Sequence, residues 1–216
     1  MNMILYEDRE ILVCEKPAGV LSEEGGLPEL LKAESGAKEL YCVHRLDRET
    51  AGLMVYAKTR GAAAKLSAAI AARGMHKSYL AVAAGSPEGA GELRDLLYRD
   101  AKKNKSYVVN RMRRGVREAV LRYEKREQRE GLCLLRIELE TGRSHQIRVQ
   151  FASRGFPLVG DGKYGSAYRD HPLALFAASL AFPHPKSGEL LSFRADPPAL
   201  WPWTLFETCS QTESPG

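Results

Sequence analysis

His44-Arg45-Leu46-Asp47-Arg48-Glu49-Thr50-Ala51-Gly52 runs directly into the apolar stretch Leu53-Met54-Val55-Tyr56-Ala57. A carboxylate stands between two arginines on a polar segment that feeds a strand-like run. Flanking cations favour the ionised form of an acid, and a charged carboxylate at the mouth of a strand can serve as a nucleophile or a base. Taken alone, the same pattern also fits a surface turn with local ion pairs, because structural pairs perturb acids too.

The other segments of the chain separate these readings. Ile11-Leu12-Val13-Cys14-Glu15-Lys16-Pro17-Ala18-Gly19 is a strand-like run ending in a Lys-Pro-x-Gly turn. His76-Lys77-Ser78-Tyr79-Leu80-Ala81 carries Lys-x-Tyr on a second strand. Thr141-Gly142-Arg143-Ser144-His145-Gln146-Ile147-Arg148 and the turn Gly160-Asp161-Gly162-Lys163-Tyr164-Gly165 follow in order. Together with the His44–Gly52 segment, these resemble the motifs of the RluA-type pseudouridine synthase family. The resemblance spans residues 3 to 207.

The charge distribution supports a nucleic-acid partner. The net charge is +5, yet residues 94–129 hold thirteen Lys or Arg against five Asp or Glu, and the rest of the chain is negative. Segregated positive charge is the electrostatic footprint of a nucleic-acid binder. An anionic membrane surface is a poorer fit, since the basic segment has no broad apolar helical face. No apolar stretch is long enough for a transmembrane helix, and the N-terminus lacks the basic start and apolar core of a signal peptide. Cys14, Cys42, Cys133 and Cys209 are widely spaced, with no Cys-x-x-Cys pair. Three of them sit in strand-like runs, which reads as small core residues in a reducing, cytoplasmic setting.

Strand-like runs dominate: Ile11–Glu15, Leu53–Lys58, Ser78–Ala84, Tyr107–Asn110, Ala119–Glu124, Leu132–Glu140, Leu175–Phe182 and Leu190–Arg194. Helices are predicted over Gly61–Arg73, Ser144–Arg154 and Pro28–Ala33, from alanine content, apolar residues four apart, first-turn proline and terminal glycines. Many strands with few helices argue for α+β with a mixed, mostly antiparallel sheet. One domain over residues 1–210 is expected, with a disordered polar tail over 211–216. The resemblance implies the pseudouridine synthase fold: a long bent sheet with flanking helices and an active cleft across its middle. Many relatives carry an N-terminal RNA-binding S4 domain. Here that module is expected to be missing, which leaves RNA affinity to the catalytic domain.

Turning uridine into pseudouridine breaks the glycosidic N–C bond, turns the base and rejoins it through carbon. There is no redox change and no group is acquired, so no cofactor and no metal are expected. The sequence has no phosphate-binding Gly-rich loop and no His-Glu-x-x-His pair. His44, His76, His145, His171 and His184 do not recur at ligand spacing.

The resemblance assigns roles residue by residue. Asp47 is the nucleophile, acting on the ribose, on the base or in a glycal route; each version needs an ionised carboxylate beside the sugar. Arg148 is the cation that pairs with Asp47, as a buried carboxylate requires. Tyr79 stacks on the uracil and serves proton transfer from the base carbon. Arg45 enters the RNA stack when the target base is turned out, because base chemistry inside a helix requires extrusion and a planar guanidinium fills the gap. Arg143 and Gln146 are assigned to RNA contact or to orienting the active loop. Lys16 either places the Thr141–Arg148 motif or has a structural role in its turn. Thr50, Gly52, Gly160, Gly162 and Gly165 serve backbone geometry.

Lys102, Lys103, Lys105, Arg111, Arg113 and Arg114 read as a β-hairpin with a basic tip, on which Tyr98 and Tyr107 are placed to stack on bases. Its contacts would go mainly to phosphates. The expected partner is therefore a structured ribosomal or transfer RNA, bound by a monomer with no obligate protein partner. Two competing readings remain at this level. One is a catalytically silent RNA-binding or ribosome-assembly factor on the same fold. The other is an aspartyl phosphotransferase, for which Glu49 stands at the right offset but without the accompanying acidic cluster.

Overall fold

In chain order the strands and helices are β1 (Ile4–Glu7), β2 (Ile11–Lys16), α1 (Leu27–Ser35), β3 (Tyr41–Cys42), β4 (Ala51–Ala57) and α2 (Arg60–Ala71). They continue as β5 (His76–Ala84), β6 (Ala90–Asp100), β7 (Lys105–Val109), β8 (Val116–Arg129), β9 (Leu132–Leu139), α3 (Gln146–Ala152), β10 (Leu175–Pro183) and β11 (Leu190–Arg194). Single 3-10 turns occupy Gly162–Tyr164 and Trp203–Leu205. The structure is a computed structural model and describes residues 3–207. Cys209 and the tail 211–216 lie outside the described residues.

The chain divides into two compact units. One comprises Met1–Ser78 with Phe176–Ala195, the other Tyr79–Leu175 with Asp196–Gly216. In the first unit β2 pairs antiparallel with β1 and with β4, β3 pairs with β4, and β11 with β10. The β4–β10 pair is parallel, which makes the sheet mixed. Ile11, Leu12, Val13 and Cys14 are all fully buried, so β2 is covered on both faces and reads as a continuous apolar run rather than an alternating one. Ile11, Val13, Leu53, Val55, Leu180 and Phe182 form the core, and Ala62 and Leu66 of α2 pack onto it. Burying each such large side chain contributes about 1.5–3 kcal/mol. Thr59 caps α2 by accepting the Ala62 amide at 3.0 Å, which adds about 1 kcal/mol.

In the second unit β6 pairs antiparallel with β7 and β8, and β8 with β9. The β8–β9 hairpin closes through Glu130 (φ 53°) and Gly131 (φ 76°), two positive-φ residues whose twist matches the flanking strands. Leu97, Ala119 and Val149 form a small core here, with Val108 and Tyr164 against it.

All eight predicted strands are present, and the α+β class with a mostly antiparallel mixed sheet holds. Three strands were not predicted: β1, β3 and the eleven-residue β6. β8 is also much longer than the expected Ala119–Glu124, running to Arg129. Both long strands are dense in charge. Their exposed residues are held by cross-strand ion pairs, such as Arg94 with Glu118 at 3.0 Å and Arg122 with Glu92 at 3.4 Å, that become visible only once the register is known. α3 begins at Gln146 rather than Ser144 because His145 adopts a left-handed conformation (φ 54°, ψ 25°).

Candidate active site

The register of β2 on β4 sets Lys16 opposite Gly52, the last residue of the Asp47 motif. Lys16 is fully buried, and its ammonium donates to the carbonyls of Pro17 (2.9 Å), Val20 (2.7 Å) and Arg48 (2.9 Å). All three donors of a buried cation are thus spent on the backbone that frames Asp47. Burial pushes the Lys16 pKa down to about 8, with Glu49 and Asp47 opposing the shift. Of the two roles read from the sequence, this geometry performs the structural one.

Three further contacts fix the same loop. Ser22 Oγ donates to the Leu46 carbonyl at 2.9 Å and accepts the Leu46 amide at 3.1 Å. The Gly19 amide donates to the Arg48 carbonyl at 2.8 Å, and Arg48 Nε returns a bond to the Gly19 carbonyl at 2.8 Å. The Thr50 amide donates to the Asp47 carbonyl at 3.0 Å and closes the turn. Gly52 has φ 115°, and a Cβ there would meet the Ala177 carbonyl oxygen at 2.4 Å. β10 therefore approaches the end of the motif at a distance only glycine permits.

Asp47 is half-buried between its two arginines, which are both exposed. Arg45 reaches Glu23 at 2.7 Å, with more than half of each side chain open to solvent. An exposed pair of this kind contributes little, so Glu23 holds Arg45 without locking it. His44 is buried and its Nε2 accepts the Val55 amide at 3.1 Å. Burial, and then the nearby charge of Lys77, hold its pKa well below the usual 6.5. The imidazole is neutral, with its proton on Nδ1, and acts as a brace between the motif and β4. Lys77 is itself pushed down to about 8 by burial.

In the second unit, Tyr79 lies on β5 with 5% of its surface exposed. Arg148 lies on α3, equally buried, and is gripped edge-on by Asp161: Nε to Oδ2 at 2.7 Å and Nη2 to Oδ1 at 2.8 Å. This two-point clamp fixes the plane of the guanidinium. Its Cζ also stands 5.3 Å from the centre of the Tyr164 ring. Asp161 owes its position to the turn around Gly160 (φ 78°), where a Cβ would collide with the Pro172 carbonyl oxygen at 2.1 Å.

Gln146 is buried. Its Oε1 accepts from Thr141 Oγ1 (2.9 Å) and from the Arg143 amide (3.0 Å), and its Nε2 donates to the Val120 carbonyl (3.1 Å). It braces the loop that leads into α3. Arg143 is exposed, with Nε donating to the Glu118 carbonyl at 2.9 Å.

The basic segment is a hairpin of β6 and β7 with Lys102 and Lys103 at its exposed tip, while Arg111, Arg113 and Arg114 lie in the exposed connection from β7 to β8. Tyr98 and Tyr107 are cross-strand partners, and Arg113 stands 5.2 Å from the Tyr98 ring centre. Arg94 is matched by Glu118 on the neighbouring strand, Arg126 by Glu124 on its own strand, and Arg122 and Arg129 by Glu140 and Glu207 further along the chain. Lys102, Lys103, Lys105, Arg111, Arg113 and Arg114 make no ion pair among the described residues. The surplus positive charge is therefore concentrated at the hairpin tip and the β7–β8 connection.

Asp161, Tyr164, Ser22 and Lys77 had no assigned role in the sequence reading. Asp161 and Tyr164 were within reach of it, as the acid and the aromatic of the Gly160–Gly165 motif. Lys77 was within reach too, as the lysine of the Lys-x-Tyr strand, whereas Ser22 carries no local signal. Among the described residues, no three His, Cys, Asp or Glu side chains gather as a metal-ligand set.

Fold and motifs together define an RNA-modifying enzyme class. The family model described as RNA pseudouridylate synthase matches residues 10–153, and the chain belongs to that family. The ribosomal large subunit pseudouridine synthase D of Xanthomonas campestris pv. campestris is 35% identical over 220 residues, covering 90% of this chain and 66% of that protein. The ribosomal large subunit pseudouridine synthase C of Escherichia coli strain K12 is 33% identical over 211 residues, with the same 90% and 66% coverage. The chain thus spans about two thirds of the length of these curated relatives. The solved structure of human RNA pseudouridylate synthase domain containing 4 matches with a TM-score of 0.78 at 26% identity, covering 94% of this chain and 91% of that one.

Proposed function

We propose that this chain is an RNA pseudouridine synthase that isomerises particular uridines in a structured RNA, ribosomal RNA first and transfer RNA second. Family membership over residues 10–153 supports the activity, and the printed functions of the Xanthomonas and Escherichia relatives favour ribosomal RNA. Asp47 is the nucleophile. The observation that carries this assignment is the framing of its loop: a fully buried ammonium, Lys16, spends its donors on that backbone, and Gly52 admits β10 beside it. A surface turn with incidental ion pairs needs no such buried scaffold.

The other roles follow the motif. Tyr79 stacks on the base and passes its proton, Arg148 is the cation that keeps Asp47 ionised, and Arg45 fills the stack when the target uridine is turned out. In the Asp161 clamp two of the guanidinium nitrogens face Asp161, and Nη1 supplies two further N–H donors. Within one nucleotide the N–C glycosidic bond and a base C–H bond are exchanged for a C–C glycosidic bond and an N–H bond, so the reaction balances without a cofactor or metal. The protein works as a monomer without an obligate protein partner. Three free thiols among the described residues, at Cys14, Cys42 and Cys133, fit a reducing cytoplasm.

The test is direct. Wild type and Asp47→Asn are incubated with large-subunit ribosomal RNA and tRNA transcripts, with EDTA present, and pseudouridine is mapped by carbodiimide primer extension. Wild type should modify discrete uridines, while Asp47→Asn binds the RNA with similar affinity and forms none. Turnover by Asp47→Asn would end the nucleophile assignment. RNA binding by wild type without any isomerisation would favour the silent assembly-factor reading.

A further inference from the structure

Tyr164 joins three segments of the second unit that the sequence keeps far apart. Its hydroxyl accepts the Ser106 amide of β7 at 2.8 Å and is hydrogen-bonded to His145 Nδ1, just before α3, at 2.9 Å. Ser106 Oγ adds a bond to the Ser144 carbonyl at 2.6 Å. β7 is the last strand of its ladder, so the Ser106 amide is satisfied by the tyrosine rather than by another strand. On the other side of the turn, Lys163 Nζ donates to the Asn104 carbonyl, at the hairpin tip, at 3.0 Å.

The ring of Tyr164 does a second job. Arg148 Cζ is 5.3 Å from its centre, and Lys105 Nζ is 5.1 Å from the same centre. One cation belongs to the basic hairpin, the other to the proposed active site. Both draw on one quadrupole, so a change in the position of either alters the field at the other. Lys105 makes no ion pair among the described residues, and an RNA phosphate is the natural counter-charge for it. A phosphate bound by the Lys105 ammonium would pin the Tyr164 ring through Lys105 and the adjoining Ser106 amide, and the pinned ring would hold the guanidinium in its Asp161 clamp.

We infer that Tyr164 is a positioning residue that couples RNA seated on the β6–β7 hairpin to the orientation of Arg148. The inference rests on the pseudouridine synthase reading and adds to it. RNA contact made at the hairpin raises the rate of the bound complex, beyond its effect on affinity.

Single-turnover pseudouridine formation is measured with enzyme in saturating excess over RNA, alongside RNA affinity and thermal midpoint, for wild type, Tyr164→Phe, Lys105→Ala and the double variant. Tyr164→Phe keeps the ring and loses the two hydroxyl bonds. It should bind RNA within about twofold of wild type yet react about tenfold more slowly at saturation. Lys105→Ala should also slow the saturated reaction, and the double variant should be no slower than the slower single one. Tyr164→Leu, if it folds, should lose more rate than Tyr164→Phe. A merely structural tyrosine would lower the thermal midpoint and leave the saturated rate of Tyr164→Phe unchanged, which would overturn the coupling while wild type stays active. Multiplying effects in the double variant would overturn it too. Absence of pseudouridine with wild type would instead remove the underlying activity, and the coupling with it.

Discussion

The Lys16 ammonium donates a 2.9 Å hydrogen bond to the carbonyl of Arg48, 32 residues further along the chain. It also holds Pro17 and Val20, so one buried cation ties the first motif to the second. Lys16→Met should leave three carbonyls without their donor in a buried setting. The expected loss of stability is about 3 kcal/mol, because stranded acceptors retain their desolvation penalty. The Asp47 loop should loosen at the same time. Urea denaturation and steady-state kinetics would show a lower unfolding midpoint and a kcat that falls further than KM rises. A variant with normal kcat would mean that the loop does not depend on this cation.

Lys16 also gives the loop a pH dependence. Burial sets its pKa near 8, below the ordinary 10.5. Below about 8 the ammonium is charged in both states and the cost of burying it is fully present. Between about 8 and 10.5 the folded protein has released the proton while the unfolded chain still binds it, so the Lys16 contribution to stability rises with pH. Activity should move the other way, since a neutral amine has two N–H donors for three carbonyls. Between pH 7 and 10, kcat should fall while the difference in unfolding free energy between wild type and Lys16→Met shifts in favour of wild type. A kcat that is flat to pH 10 would count against this control.

The Arg148–Asp161 pair makes a separate prediction. Both side chains are almost wholly buried. Asp161→Asn keeps the shape, removes the charge and turns one acceptor into a donor facing a guanidinium. Breaking a buried pair in this way costs about 3 kcal/mol or more. A guanidinium displaced by about 1 Å should reduce kcat about a hundredfold. Calorimetry and single-turnover rates on Asp161→Asn check both; Asp170→Asn, at an exposed position on the following loop, should change neither.

The strand skeleton was legible because its buried members are apolar in sequence: Ile11–Cys14, Leu53–Ala57 and Leu132–Leu135 announce themselves. β6 was hidden because only Leu93 and Leu97 are buried along it, four residues apart among charges, which is not the alternation of a half-buried strand. The motif residues were legible through their resemblance to a family. Their supports were less so. A lysine at the end of a strand, a serine in a loop and an acid between glycines look solvated in sequence. Lys16, Ser22 and Asp161 are instead buried by contacts with residues 13 to 32 positions away, which no local pattern encodes.

The basic hairpin gives the last prediction. The charge excess over residues 94–129 is unevenly spread in space: Arg94, Arg122 and Arg126 face glutamates, while Lys102, Lys103, Arg113 and Arg114 face solvent. The second group, with Lys105 and Arg111, is available to release counterions from RNA. Charge reversal at these four positions should leave the fold intact, because all four are exposed and lie outside the strands. It should weaken RNA binding and reduce the slope of log affinity against log salt by about 3, at roughly 0.7–0.9 per lost phosphate contact. Arg94→Glu with Glu118→Arg, which swaps an existing pair, should leave the slope within about 0.5 of wild type and serves as the control for charge changes as such. A salt titration of affinity for wild type and both variants decides the matter. Equal affinity and slope in wild type and the fourfold reversal would remove the hairpin as the RNA grip and direct the search to Arg143, exposed within the Thr141–Arg148 motif, and to the exposed Arg169.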